Sequence, residues 1–390
     1  MEGFLSKTIL DLRDVAREVS EKYIRPHSER NDREARWPEE GMRALGDAGL
    51  LGLNVPKRFG GHEQGLQALA VISEEIGKVD PSCALCFGMH CVGTAVIAAK
   101  ATPYQEENYL KPIAEGKHIT TLALSESGSG AHFYFPETKL TKSGKKFLAN
   151  GEKDFITNGG YADSYVVSTH ISEELQGEAG EGKFNMLILD KRARGIEWGP
   201  AWNGFGMRGN SSRGMMLKNT EIPVENLLGE EGDQTWYVFE VVAPYFLLSM
   251  SGSYLGAAQG ALDYVKEHLK ARRYSHSGTS LSNVQALQIS LADLWIQVEK
   301  TRGLIYDAGQ RGDVADPGAL SSILGCKADV ADMAVYVVNE AMSLAGGRAY
   351  AQNSYLSRLL RDVRASHVMA PTTQILKEWL GRYLLGLPLL

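Results

Sequence analysis

The chain has 390 residues, 44% of them hydrophobic, which is enough to bury a large core and build two or three structural units. Its formal charge of -6 mixes both signs along the sequence, which leaves no basic footprint for a nucleic acid or an anionic membrane. No stretch reads as a membrane span, the first residues lack a signal-peptide core, and the expected location is the cytoplasm. Cys83, Cys86, Cys91 and Cys326 are too few and too unevenly placed for a disulfide framework. Cys83, Cys86 and His90 would share one helix face, but no second ligand pair of zinc spacing accompanies them, so no metal is expected.

From Lys7 to about Leu51 the apolar positions recur at helical spacing, and Trp37-Pro38-Glu39-Glu40 is a helix-starting signal. Helical patterning returns over 65–77 and 82–100. Between 119 and 228 the character changes to short apolar runs separated by turn residues, as in a small antiparallel barrel, with 174–182 as a solvated loop. After about Asp233 long helices resume, predicted over 284–309, 324–344 and 366–384.

Two segments in the strand region stand out, the first of which, taken alone, reads as a turn joining strands. In Ala123-Leu124-Ser125-Glu126-Ser127-Gly128-Ser129-Gly130-Ala131 the glycines allow close backbone approach to a ligand and Ser125 offers a hydroxyl. In Asn150-Gly151-Glu152-Lys153-Asp154-Phe155-Ile156-Thr157-Asn158-Gly159 the residues Phe155 and Thr157 stand two apart on a strand. One can then stack on a planar group while the other hydrogen-bonds to it.

Further along come Gly206-Met207-Arg208-Gly209-Asn210-Ser211-Ser212, Ile222-Pro223-Val224-Glu225-Asn226-Leu227-Leu228-Gly229, Leu344-Ala345-Gly346-Gly347-Arg348-Ala349-Tyr350, Arg358-Leu359-Leu360-Arg361-Asp362 and Met369-Ala370-Pro371-Thr372-Thr373-Gln374-Ile375. In order and spacing, over nearly the whole chain, these segments resemble the acyl-CoA dehydrogenase family. The resemblance implies an α+β fold: an N-terminal helical domain (1–118), a middle antiparallel β-barrel domain (119–232) and a C-terminal four-helix bundle (233–390). It also implies FAD as cofactor, an acyl-CoA thioester as substrate and an electron-transfer flavoprotein as electron acceptor. By the same resemblance, FAD contacts come from Leu122, Leu124, Ser125, Gly130, Ala131, Phe155, Thr157, Thr372 and Gln374. Arg272, Arg273, Gly346 and Gly347 would reach the FAD of a neighbouring subunit, so a homo-oligomer, expected to be a tetramer, is implied.

The departures from the family pattern matter as much. Where the Tyr-Glu-Gly-Thr-x-x-Ile signature places its proton-abstracting glutamate, this chain has Ala370, followed by Pro371, and an alanine accepts no proton. The slot that some relatives use instead, on the first long C-terminal helix, falls at Phe246, and the usual adenosine-holding Asp and Arg fall at Pro244 and Leu247. The relocated base is sought in Cys91 or His90, on the helix that lines the family's acyl pocket. Cys91 would need a lowered thiol pKa to serve. The expectation is therefore an FAD-dependent dehydrogenase that introduces a C=C bond into an unusual acyl group, cyclic or already unsaturated. The alternatives on the same scaffold are an acyl-CoA lyase that eliminates a group such as sulfite and a flavin-dependent oxygenase.

Overall fold

The computed structural model describes residues 2–130, 132–171 and 183–389; Ala131 and the loop at 174–182 lie outside the described residues. The N-terminal unit contains α1 (Lys7–Val19), α2 (Arg25–Glu34), α3 (Glu39–Asp47), α4 (Leu66–Gly77) and α5 (Pro81–Ala99). Helix α5 starts sharply because the Asp80 side chain accepts from the Cys83 N–H and Pro81 occupies the first turn, where a missing N–H costs nothing. It is buried all round from Pro81 to Ile97, which explains its apolar composition. By length and composition, α5 and the run Gln234–Ala271 are long and apolar enough to cross a membrane, which the sequence reading did not pick out; in the fold most of each lies against other protein.

Among the described residues seven strands follow: β1 (Thr120–Ala123), β2 (Lys139–Ser143), β3 (Lys146–Ile156), β4 (Ser164–His170), β5 (Phe184–Asp190), β6 (Ile196–Trp198) and β7 (Arg213–Pro223). They form two sheets, ordered β1-β4-β5 and β2-β3-β7-β6. One feature departs from the expected antiparallel barrel: β1 pairs parallel with β4, Leu122 opposite Val166. The chain leaves β1 to build the β2–β3 hairpin of the other sheet and re-enters from the same end, and such a crossover connection gives a parallel pair. Strands β4 and β5 are buried on both faces. Tyr165, Val167, Leu187 and Leu189 meet Phe147, Met215 and Leu217 of the second sheet, while Val166, Met186 and Ile188 join the helical core.

The C-terminal unit holds α6 (Ala243–Ala271), α7 (Gln285–Asp313), α8 (Ala319–Ala345), α9 (Tyr355–Val363), α10 (Ala365–Val368) and α11 (Thr373–Leu384). Helix α6 crosses α4 closely: a Cβ on Gly252 would stand 2.2 Å from the Ala70 carbonyl oxygen, and one on Gly256 2.2 Å from that of Glu74. The helix expected over 366–384 is two helices. Pro371 has no N–H for a helical ladder, the Ala370–Pro371 peptide is cis, and Thr372 restarts the chain as the cap of α11 by accepting from the Ile375 N–H.

Candidate functional site

A cleft of about 830 Å³ opens between the strand domain and the helices. The strand side contributes Leu122 and Leu124 at the end of β1, then Ser125 to Ser127, Gly130, Asp154, Phe155 and Thr157. The helical side contributes Leu85 and Met89 of α5, Ala243 and Phe246 of α6, and residues Ala365 and Val368 to Thr372 around the break between α10 and α11. Six cofactor residues read from the sequence therefore lie on its strand wall, Leu122, Leu124, Ser125, Gly130, Phe155 and Thr157, and Thr372 faces them across the cleft.

Local structure explains why the strand wall is shaped for a flat ligand. The β3–β7 ladder slips between Lys153 and Ile156, and Phe155 sits in that bulge with φ of 53°. A bulge re-aims its side chain, so the Phe155 ring stands 67% exposed at the cleft, edge-on to Trp202 with ring centroids 6.3 Å apart. Phe155 and Thr157 do face one cleft, but the bulge brings them there and not the simple alternation of a strand. The Asp154 N–H donates to the Ser125 carbonyl at 2.8 Å and Ser127 Oγ donates to Asp154 Oδ2 at 2.7 Å, which pins the glycine-rich loop to β3.

Behind this loop Glu126 and Lys153 form a buried ion pair. The Glu126 carboxylate also accepts from Thr138 Oγ1 at 2.7 Å and from the Glu137 N–H, while Lys153 Nζ donates to the Ser168 carbonyl and hydroxyl. Burial pushes the Glu126 carboxyl up, but Lys153 and these donors outweigh it and hold it below the usual carboxylate range. Glu126 is thus an ionised strut of the loop.

The candidate base residues are placed elsewhere. His90 is fully buried; its Nε2 lies 2.9 Å from the Leu51 carbonyl and its Nδ1 accepts from the Thr120 N–H at 3.1 Å. Both ring nitrogens are spent on backbone, and burial lowers the pKa to about 4, so the ring is neutral. Cys91 is also fully buried, and burial alone pushes its thiol well up, the opposite of what a base needs. Neither residue is on the cleft wall, because α5 presents Leu85 and Met89 there, one turn apart, and turns His90 toward β1. The expectation of a base at His90 or Cys91 is corrected on this geometry. His367 also points away, with Nε2 2.9 Å from Asp332 Oδ1 on α8. Phe246 does face the cleft, and Ala370 lies near the break in the helices; both proton-acceptor slots are apolar.

Arg272, Arg273, Gly346, Gly347 and Gln374 are exposed and away from this chain's own cleft wall. Trp202 and Phe205, which the sequence did not single out, line the cleft together with Gly206 and Met207 of the quoted motif, and Ala243 of α6 joins Phe246 on the opposite wall. Met207 holds a left-handed conformation there, which only the folded chain reveals.

Comparison with known proteins agrees with this architecture. Three family models match in order: acyl-CoA dehydrogenase N-terminal domain over residues 6–117, middle domain over 121–220 and C-terminal domain over 246–385. Among characterised sequences, the cyclohex-1-ene-1-carbonyl-CoA dehydrogenase of Geobacter metallireducens is 30% identical over 373 residues, 95% of this chain and 96% of the relative. The enzyme of that same name from Syntrophus aciditrophicus is 29% identical, covering 96% and 89% of the two chains. Among solved structures, butyryl-CoA dehydrogenase from Megasphaera elsdenii superposes with a TM-score of 0.90 at 25% identity, covering 98% of this chain and 99% of that one. The chain belongs to the acyl-CoA dehydrogenase family, the FAD-dependent oxidoreductases that act on CH–CH bonds.

Proposed function

We propose that the protein dehydrogenates an acyl thioester whose acyl group is compact and either cyclic or already unsaturated. The observation that carries this reading is the composition of the helical wall. Leu85, Met89, Ala243, Phe246, Val368 and Met369 form an apolar stretch of that wall without a carboxylate, imidazole or thiol, and the charged residues on this side are Arg361 and Arg364. Such a wall favours an uncharged hydrocarbon ring through burial of its apolar surface. Two relatives with names that specify a cyclohexene-carbonyl thioester support the choice of acyl class.

The residues present fit FAD. The exposed Phe155 ring offers a stacking face, the Ser125 and Thr157 hydroxyls stand on the same wall, and the Leu122 to Ser125 backbone borders it. FAD, when bound, supplies the hydride acceptor for the reaction. Ala131 and Gln374 are further proposed FAD contacts, Gln374 lying away from this cleft wall, and Arg272, Arg273, Gly346 and Gly347 are proposed to serve the FAD of a neighbouring copy. A homotetramer is the proposed assembly. It is supported by the exposure of those four residues and by the uncovered apolar side chains Ile289, Trp295 and Ile296 on α7. An electron-transfer flavoprotein is the proposed acceptor and the cytoplasm the proposed location.

The protein's own part is to orient the acyl group against the strand wall. Conjugation of an unsaturated acyl group with the thioester carbonyl acidifies its more distant carbons, and the proton leaves to water at the cleft mouth. The test is anaerobic flavin bleaching of the FAD-loaded protein with straight-chain, branched, cyclic and cyclic-unsaturated CoA esters. Bleaching is expected with the cyclic-unsaturated esters, and absence of bleaching with all of them would refute the reading. A second reading on the same scaffold is a lyase that expels a stable anion such as sulfite with no net transfer of electrons to the flavin. A lyase would turn over with its flavin fully oxidised.

A further inference from the structure

We propose that Asp362 is a positioning residue that sets the width of the flavin cleft by tying its two walls together, an inference that rests on the FAD reading above. Asp362 lies in the last turn of α9 and is 1% exposed. A carboxylate at the end of a helix faces the negative end of the helix dipole, and a buried one also loses its hydration, so the position needs a compensating partner. That partner is the Met207 N–H, which donates to Asp362 Oδ1 at 2.6 Å. Met207 lines the cleft from the strand side and holds φ of 51°, a conformation that a methionine adopts only under constraint.

The neighbouring contacts tighten the same joint. A Cβ on Gly206 would stand 2.2 Å from the Arg361 carbonyl oxygen, so the loop touches the end of α9 backbone to backbone. Arg361 donates to the Phe205 carbonyl and grips Asp32 of α2 with both terminal nitrogens, and Arg208 Nε donates to the Asp32 carbonyl at 2.8 Å. Immediately beyond Asp362 the chain becomes α10 and the Met369–Thr372 segment, the opposite wall of the cleft. One carboxylate therefore holds the 205–207 loop against the helix that leads into the segment facing it.

The experiment compares apo-protein of wild type, Asp362→Ala, Asp362→Asn and Gly206→Ala for FAD affinity, bound-flavin absorption spectrum and hydrogen exchange at residues 205–208. Asp362→Asn keeps an acceptor oxygen in place and is expected to bind FAD within threefold of wild type. Asp362→Ala is expected to raise the FAD Kd at least tenfold, to blur the flavin band and to speed exchange at the Met207 amide. Gly206→Ala, which wedges the loop away from α9, is expected to do the same and serves if Asp362→Ala does not fold. Wild-type FAD affinity and spectrum in both Asp362→Ala and Gly206→Ala would overturn the proposal, as would an Asp362→Asn protein as impaired as Asp362→Ala. If wild type itself binds no FAD, the functional reading falls instead, and the exchange at Met207 still decides whether the clamp exists.

Discussion

Replacing His90 with alanine separates a structural role from a catalytic one. In the folded protein the ring bridges the Leu51 carbonyl and the Thr120 N–H, joining the turn after α3 to β1 through α5. Removing it leaves one buried acceptor and one buried donor unpaired. At about 1–3 kcal/mol for each orphaned group the loss is roughly 4 kcal/mol, before any cavity is counted. The pH dependence gives an independent check. The folded pKa of about 4 lies below the unfolded value of 6.5, so the unfolded chain binds the proton first as pH falls. The stabilisation is complete above pH 6.5 and is lost between 6.5 and 4; from pH 7 to pH 5 the single residue accounts for about 2 kcal/mol. Equilibrium urea unfolding of both proteins at pH 7 and pH 5 measures these quantities. The variant should be about 4 kcal/mol weaker at pH 7, and the gap should shrink by about 2 kcal/mol at pH 5. A variant with the wild-type urea midpoint but no substrate-dependent bleaching would refute the structural role and restore His90 as a base.

Ala370→Glu should create ordinary dehydrogenation beside the carbonyl: stopped-flow bleaching with a straight-chain acyl-CoA should rise about 100-fold or more, the usual worth of a placed general base, and an unchanged rate would show that residue 370 does not face the reacting carbon. Phe155→Ala removes a ring that is mostly in solvent, so the thermal midpoint should hold within a few degrees while the FAD Kd rises about tenfold, for a stacking contribution of about 1–1.5 kcal/mol; fluorescence titration gives the answer. Lys153→Met strands the buried Glu126 carboxylate and should cost about 3–5 kcal/mol in urea unfolding, whereas pairing it with Glu126→Gln should recover much of that loss. Equal stability of the single and double variants would contradict the ion-pair argument.

The sequence made the domain order legible because helices and strands announce themselves by period: α5 and β4 fall close to where the pattern puts them. The strand wall of the cleft was legible too, since Ser125, Phe155 and Thr157 lie in contiguous runs. What escaped was whatever depends on direction. Whether α5 aims Met89 or His90 at the cleft is a matter of a single 100° step, and no composition argument resolves it. The parallel β1–β4 pair depends on which sheet the intervening hairpin joins, a long-range choice that no local pattern encodes. The break at Pro371 was visible as a proline, yet its helical neighbours on both sides masked it.

That break has a consequence for how the protein can change. Residue 370 belongs to neither α10 nor α11 and lies on the cleft wall. A replacement there alters the chemistry of the wall while α11 keeps its Thr372 cap. Specificity and stability are therefore separable at this point in the chain, since a side chain at 370 changes the cleft wall without belonging to either helix.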